Sequence, residues 1–329
     1  MSILAGGPFG EAGLIADKAA HLFIAAGANE EAVRYAVHPL LDNYVWEACR
    51  TGIIPEPAPG LLTAQVPGLP GETCRWFDRS HSADSLLKEE IQDALIVELD
   101  RNVGVQVPSR QFQDFIRDAE QVLVRAIPDI WDSTKPFVTR VYDMQTEMVN
   151  SATFDNIGGA VVLSSSLLSH NKGRREQVTA LAECLLHEAA HSKSFRIFRS
   201  FKRVSVPESP DFIDIPWWRT GRGTWNWDID RSIVAAHVYT HLSTFYKVLA
   251  AEDSDFEYRG NIMAFRARFL SNVLLQLGNE WIDSEWRAFI EWFSQAIPPI
   301  SGIGEAGARE LNRDIRTFDN YHLVSAGPA

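Results

Sequence analysis

The sequence predicts a mainly helical α+β protein in which a small antiparallel β-sheet, not a jelly-roll, lies beside one long helix. Three observations predict it. Over most of the chain apolar residues recur every three to four positions, the spacing of a helix face. Between about Lys135 and Ser165 the pattern changes to β-branched residues broken by Asn156 and the Gly158-Gly159 pair, as in a short antiparallel sheet. The segment after it, "REQVTALAECLLHEAAHSKSFRIF", holds neither glycine nor proline and is rich in good helix formers.

In chain order, "GEAGLIADKAAHLFIAAG" and "NEEAVRYAVHPLLDNYVWEACRTG" read as two helices, the second capped by Asn29 and ending near Gly52. Residues 53–72 carry Pro55, Pro57, Pro59, Pro67 and Pro70 and read as an extended excursion, a lid or a linker. Helices resume with Ser82 and Ser109 as caps. In the sheet region "AVVLS" is the strongest strand. A helix from about Arg175 to Phe201 follows. The polar, aromatic connection "PESPDFIDIPWWRTGRGTWNWDID" then leads to the helix "RSIVAAHVYTHLSTFYKVLAA", capped by Asp228 or Asp230. Further helices begin at Asn261, Ser284 and Gly304. Residues 1–134 thus read as a helical N-terminal region and residues 135–329, which hold two helices with paired histidines, as the candidate metal-binding catalytic region, the whole expected to be one compact unit.

With 46% hydrophobic residues in 329, the chain has enough apolar material for a sizeable core. Its 31 basic and 43 acidic residues give a formal charge of −12, which repels nucleic acid and anionic membranes and suits a neutral or cationic partner. Cys49, Cys74 and Cys184 are an odd number without CxxC spacing, so they read as reduced thiols of a cytoplasmic protein. The N-terminus has no basic stretch before its apolar residues, and no segment is apolar for long enough to span a bilayer; neither a signal peptide nor a membrane helix is expected.

The chemistry concentrates at His187-Glu188-Ala189-Ala190-His191, an HExxH. Residues four apart lie on one helix face, so His187 and His191 can meet at one ion, with Glu188 turned toward a metal-bound water or the surrounding shell. A buried helix with two incidental histidines is the plain alternative. His237 and His241 form a second i, i+4 pair on the next strong helix. One of them would complete a three-histidine site with open positions for water or substrate. His237 is preferred, because Ala235 and Ala236 allow close helix approach; His241 is the alternative, and a core or surface histidine remains open for either.

A zinc peptidase would use Glu188 as general base and a metal-bound water as nucleophile. The residues after His191 lack the HxxGxxH extension, and Glu208 stands in a loop between prolines. The peptidase reading therefore stands only in a non-standard form. Arg219, Arg222 and Arg231, among Trp217, Trp218, Trp225 and Trp227, could grip the carboxylate of an anionic co-substrate with a planar fork, or pair with nearby surface aspartates. Lys193 is a further anion partner, or an ordinary solvated lysine.

The order "SATFDNIGGAVVLSSS", "VTALAECLLHEAAHSK", "IPWWR" and "RSIVAAHVYTHLSTFY" resembles the HExxH-type 2-oxoglutarate-dependent peptide β-hydroxylases of ribosomal-peptide natural-product clusters. The likeness runs from about Ser151 to Tyr246. It implies Fe(II) held by His187, His191 and His237, with 2-oxoglutarate as co-substrate, its far carboxylate on one of Arg219, Arg222, Arg231 or Lys193. It also implies a peptide substrate, with or without a precursor leader, and succinate and carbon dioxide as co-products. Zinc is the alternative metal, and under the resemblance Glu188 is no longer a hydrolytic base. The doubled Trp217-Trp218 and the longer insertion after Arg219 depart from the family pattern and leave the matching arginine open.

Overall fold

The structure is a computed structural model that describes residues 3–7, 9–15, 82–99, 103–146, 149–157, 159–168, 173–200, 213–217, 226–300 and 322–325. Most of the two N-terminal helices, the proline-rich excursion 53–72, Arg219, Arg222 and the helix from Gly304 lie outside the described residues. The elements are α1 (Ser82–Leu99), β1 (Val105–Gln106), α2 (Arg110–Ala126), α3 (Pro128–Thr134), β2 (Arg140–Met144), β3 (Ser151–Phe154) and β4 (Ala160–Ser164). They continue with α4 (Arg174–Ser200), β5 (Ile213–Asp214), β6 (Asn226–Trp227), α5 (Ile229–Glu252), α6 (Glu257–Gln276), α7 (Ser284–Ser294) and β7 (His322–Ser325). The class is mainly helical α+β, and the described strands form no closed barrel.

The main sheet has the order β1-β2-β4-β3-β7. The expected antiparallel pairing holds for β3 with β4 and for β1 with β2, whereas β2 with β4 and β3 with β7 run parallel, so the sheet is mixed. The cause is the hairpin between β3 and β4. It returns the chain into the space beside β2, so β4 rather than β3 becomes the neighbour of β2 and points the same way. Gly159 stands at this turn with φ of +90°, and a Cβ there would meet Thr139 Oγ1 at 2.9 Å and the Phe137 carbonyl at 3.0 Å. Only glycine takes this conformation in this space without strain.

Alternation along the strands divides the core. Tyr142, Met144, Ala152, Phe154, Ala160 and Val162 join Leu87, Ile91 and Leu95 of α1 on one face. Val141, Val161 and Leu163 point to the other face and join the main core of α2 and α4 to α7. β3 differs from its neighbours, for on that second face it presents Ser151 and Thr153, both fully buried. Two polar side chains inside a core require polar partners, and α4 supplies them.

The caps follow local chemistry. Ser109 Oγ accepts from the Phe112 amide, and Asp228 accepts from the Arg231 amide at 2.6 Å, so Asp228 and not Asp230 closes α5. α1 opens at Ser82 itself. α6 begins at Glu257, one turn before the expected Asn261, and runs through Gly260. A Cβ at Gly260 would lie 3.3 Å from Tyr246 Cβ, so this glycine lets α6 approach α5 instead of stopping the helix.

Candidate metal centre

α4 is buried on every side along its middle turns, which explains why its apolar residues follow no single stripe. His187 and His191 occupy one row of it. Their Nε2 atoms are 3.0 Å apart, their ring centroids 4.7 Å apart, and His191 leans on Phe195 at 5.9 Å. In the metal-free protein that separation is an N–H···N hydrogen bond in which one ring carries the Nε2 proton. It equally suits two nitrogens on one ion: bonds of ~2.1 Å at a right angle set them about 3.0 Å apart, and a tetrahedral angle about 3.4 Å.

Cys184, Glu188 and Ser192 form the next row, which lies on the sheet. Glu188 is fully buried, and its Oε1 accepts from Ser151 Oγ at 2.6 Å. One turn further, Ser192 and Thr153 hydroxyls stand 3.4 Å apart. The polar patch of β3 is thus matched to α4 residue by residue. The Cys184 thiol is pushed well up by burial and by the Glu183 and Glu188 carboxylates, which keeps it protonated and unreactive. Ser151→Ala removes a donor from an enclosed carboxylate, so it is expected to lower stability by ~1–3 kcal/mol. Urea unfolding reads this, and an unchanged midpoint would show that the bond holds nothing in place.

His237 is fully buried on α5, ringed by Phe289, Trp292 and Phe293 of α7 at centroid distances of 5.4, 6.3 and 5.7 Å. Its Nδ1 is 2.6 Å from Ser194 Oγ on α4. His241 Nδ1 is 2.9 Å from the His237 carbonyl. The Nε2 atoms of both rings are enclosed without a hydrogen-bond partner. Burial first, then the neighbouring His241, Lys193 and His191, hold His237 well below the usual imidazole range. Burial and the Lys193 charge push His241 down to about 3, against the opposing effect of its bond to the His237 carbonyl. Both rings are therefore neutral at physiological pH, the state in which imidazole binds metals.

The structure brings the His187 and His191 Nε2 atoms together on α4 and ties His237 to the same helix through Ser194. Among the described residues, no three His, Cys, Asp or Glu side chains meet as one metal-binding group. The donor chemistry nevertheless fits a divalent transition ion, with two convergent imidazole nitrogens beside a third neutral imidazole whose Nε2 is enclosed and unbonded.

Of the expected anion partners, Lys193 and Arg231 are among the described residues. Lys193 is fully buried and donates to the Leu4 carbonyl at 3.2 Å and to Ser133 Oγ at 3.1 Å. Two residues along a helix turn the side chain by about 200°, so Lys193 leaves α4 on the face opposite His191, toward α3 and the N-terminal segment. It is no solvated lysine, for burial pushes its ammonium down to about 7. Arg231, half-buried in the first turn of α5, has its guanidinium 4.8 Å above the Trp227 ring.

Two cations absent from the sequence reading, the buried Arg266 and the half-buried Arg259, appear elsewhere. Arg266 of α6 is fully enclosed, its guanidinium 5.4 Å from the Trp217 ring and 5.5 Å from Tyr239. Its only signal is a charge in the apolar run "NIMAFRARFL". Arg259 donates to Tyr246 Oη at 3.2 Å and lies 3.5 Å from the Glu183 carboxylate, tying α4, α5 and α6 together. Trp217 packs edge-on against Tyr239, Phe265 and Phe269, so this tryptophan anchors its connection to α5 and α6.

Fold and site define a helical α+β protein with a histidine pair on a buried central helix. No protein-family model matches the chain and no curated protein matches it, so its function rests on the geometry above.

Proposed function

We propose that the chain is an Fe(II)- and 2-oxoglutarate-dependent dioxygenase that hydroxylates a side-chain β-carbon of a peptide. The observation that carries this reading is the 3.0 Å convergence of the His187 and His191 Nε2 atoms while the Glu188 Oε1 is engaged by Ser151. A zinc peptidase needs that carboxylate at the attacking water. Here it is turned to the sheet, where it braces α4 against β3 and so orients the histidine row. His187, His191 and His237 would hold the ion. Iron and 2-oxoglutarate, once bound there, would supply the dioxygen-dependent oxidation, with succinate and carbon dioxide as co-products of the peptide hydroxylation.

The chain's own residues prepare that centre. Burial keeps His237 neutral, Phe289, Trp292 and Phe293 keep water from its ring, and Phe195 supports His191. Arg231 at the start of α5, with Arg219 and Arg222 of the preceding connection, would supply forked donors for a carboxylate. The charge of −12 favours a neutral or cationic peptide. Anaerobic reconstitution with Fe(II), followed by 2-oxoglutarate, oxygen and a candidate peptide, is expected to release succinate in step with a gain of one oxygen on the peptide. Peptide cleavage with zinc, and no succinate with iron, would replace this reading by the peptidase.

A further inference from the structure

Hydrogen counting at Ser194 decides which nitrogen of His237 is bare. Ser194 Oγ is 2.8 Å from the Ala190 carbonyl and 2.6 Å from His237 Nδ1. A serine hydroxyl has one hydrogen, and a carbonyl oxygen only accepts. The hydroxyl hydrogen therefore goes to Ala190, the back-bond that serine commonly makes within a helix. The contact to the ring must then run from Nδ1–H to a lone pair of Oγ. A neutral imidazole carries one N–H, so Nε2 of His237 has none. The opposite allocation would leave an Nε2–H enclosed with no hydrogen-bond partner. His241 shows the same chemistry without ambiguity, because its Nδ1 faces the His237 carbonyl and must be the protonated nitrogen.

We propose that Ser194 is the positioning residue of this centre, committing His237 to the Nδ1–H tautomer and presenting its Nε2 lone pair as a donor. The consequence for metal binding rests on the reading of His237 as a ligand; the tautomer does not. An acceptor on the far nitrogen of a ligating histidine fixes ring orientation and raises donor strength, and its loss typically weakens metal affinity by about 10–100-fold.

The test uses the full metal-free chain labelled with ¹⁵N-histidine, in which long-range proton–nitrogen correlations report the tautomer of each ring. Wild-type His237 is expected to show the Nδ1-protonated pattern. Ser194→Ala is expected to lose it and to bind Co(II) about 10–100-fold more weakly, with Ser194→Thr, which keeps the hydroxyl, restoring both. A wild-type His237 protonated at Nε2 would overturn the proposal, and that measurement stands even where a variant fails to fold. So would a Ser194→Ala protein whose His237 keeps its Nδ1 proton. A tautomer that follows Ser194 in a protein that binds no Co(II) upholds the role of Ser194 and removes only the ligand reading of His237.

Discussion

His191→Ala is expected to abolish stoichiometric binding of Fe(II) and Co(II). Its Nε2 is half of the one convergent nitrogen pair in the described site, and His187→Ala removes the other half with the same result. Losing an outer-shell partner costs metal affinity about 10–100-fold, so losing a ligand should cost more than about 100-fold. The second pair should be unequal. His237→Ala is expected to weaken binding far more than His241→Ala, because His237 is linked to α4 through Ser194 whereas His241 is bonded back onto its own helix. A Co(II) titration followed by visible absorption, with iron retention through gel filtration, measures all four. Full binding by the His191 variant would remove the metal centre; a reversed order within the second pair would reassign the third ligand to His241.

A large pH effect on stability is expected from Lys193. The ammonium is enclosed with a carbonyl and a hydroxyl as its hydrogen-bond acceptors, and burial lowers it from 10.5 to about 7. Between those values the unfolded chain binds a proton that the folded chain does not. Unfolding then takes up a proton, so stability rises as pH rises above about 7, at up to 1.36 kcal/mol per pH unit. The metal-free protein is therefore expected to gain about 2 kcal/mol between roughly pH 7 and 8.5, read by urea unfolding. Lys193→Met keeps the bulk without the charge and should flatten that slope; an equal slope in the methionine variant would assign it to another group. His237 and His241 act with the same sign in a lower window. Both are held below the ordinary 6.5, so stability falls as pH drops below that value, where the unfolded rings charge and the folded ones do not.

Elements governed by near neighbours in the chain were legible in the sequence. "AVVLS" is β4 to the residue, α4 starts within one residue of expectation, and Ser109 and Asp228 cap their helices. The HExxH spacing already implied convergence of His187 and His191, because residues four apart share a helix face whatever surrounds them. The start of α6 lay one turn before the expected Asn261, because Gly260 sits inside the helix where it lets α6 approach α5.

What the sequence by itself determined, then, is the class, most of the described elements and the histidine row on α4. Only the tertiary structure decided the parallel pairings of the sheet, the engagement of Glu188 by Ser151 and the burial of Arg266. It also decided that Lys193 donates to the Leu4 carbonyl and Ser133 Oγ, and that Ser194 Oγ stands against His237 Nδ1. The reason is physical. Periodicity and capping depend on the next one to four residues, whereas the partner of a buried polar group is set by which distant element docks against it, and desolvation makes that partner obligatory.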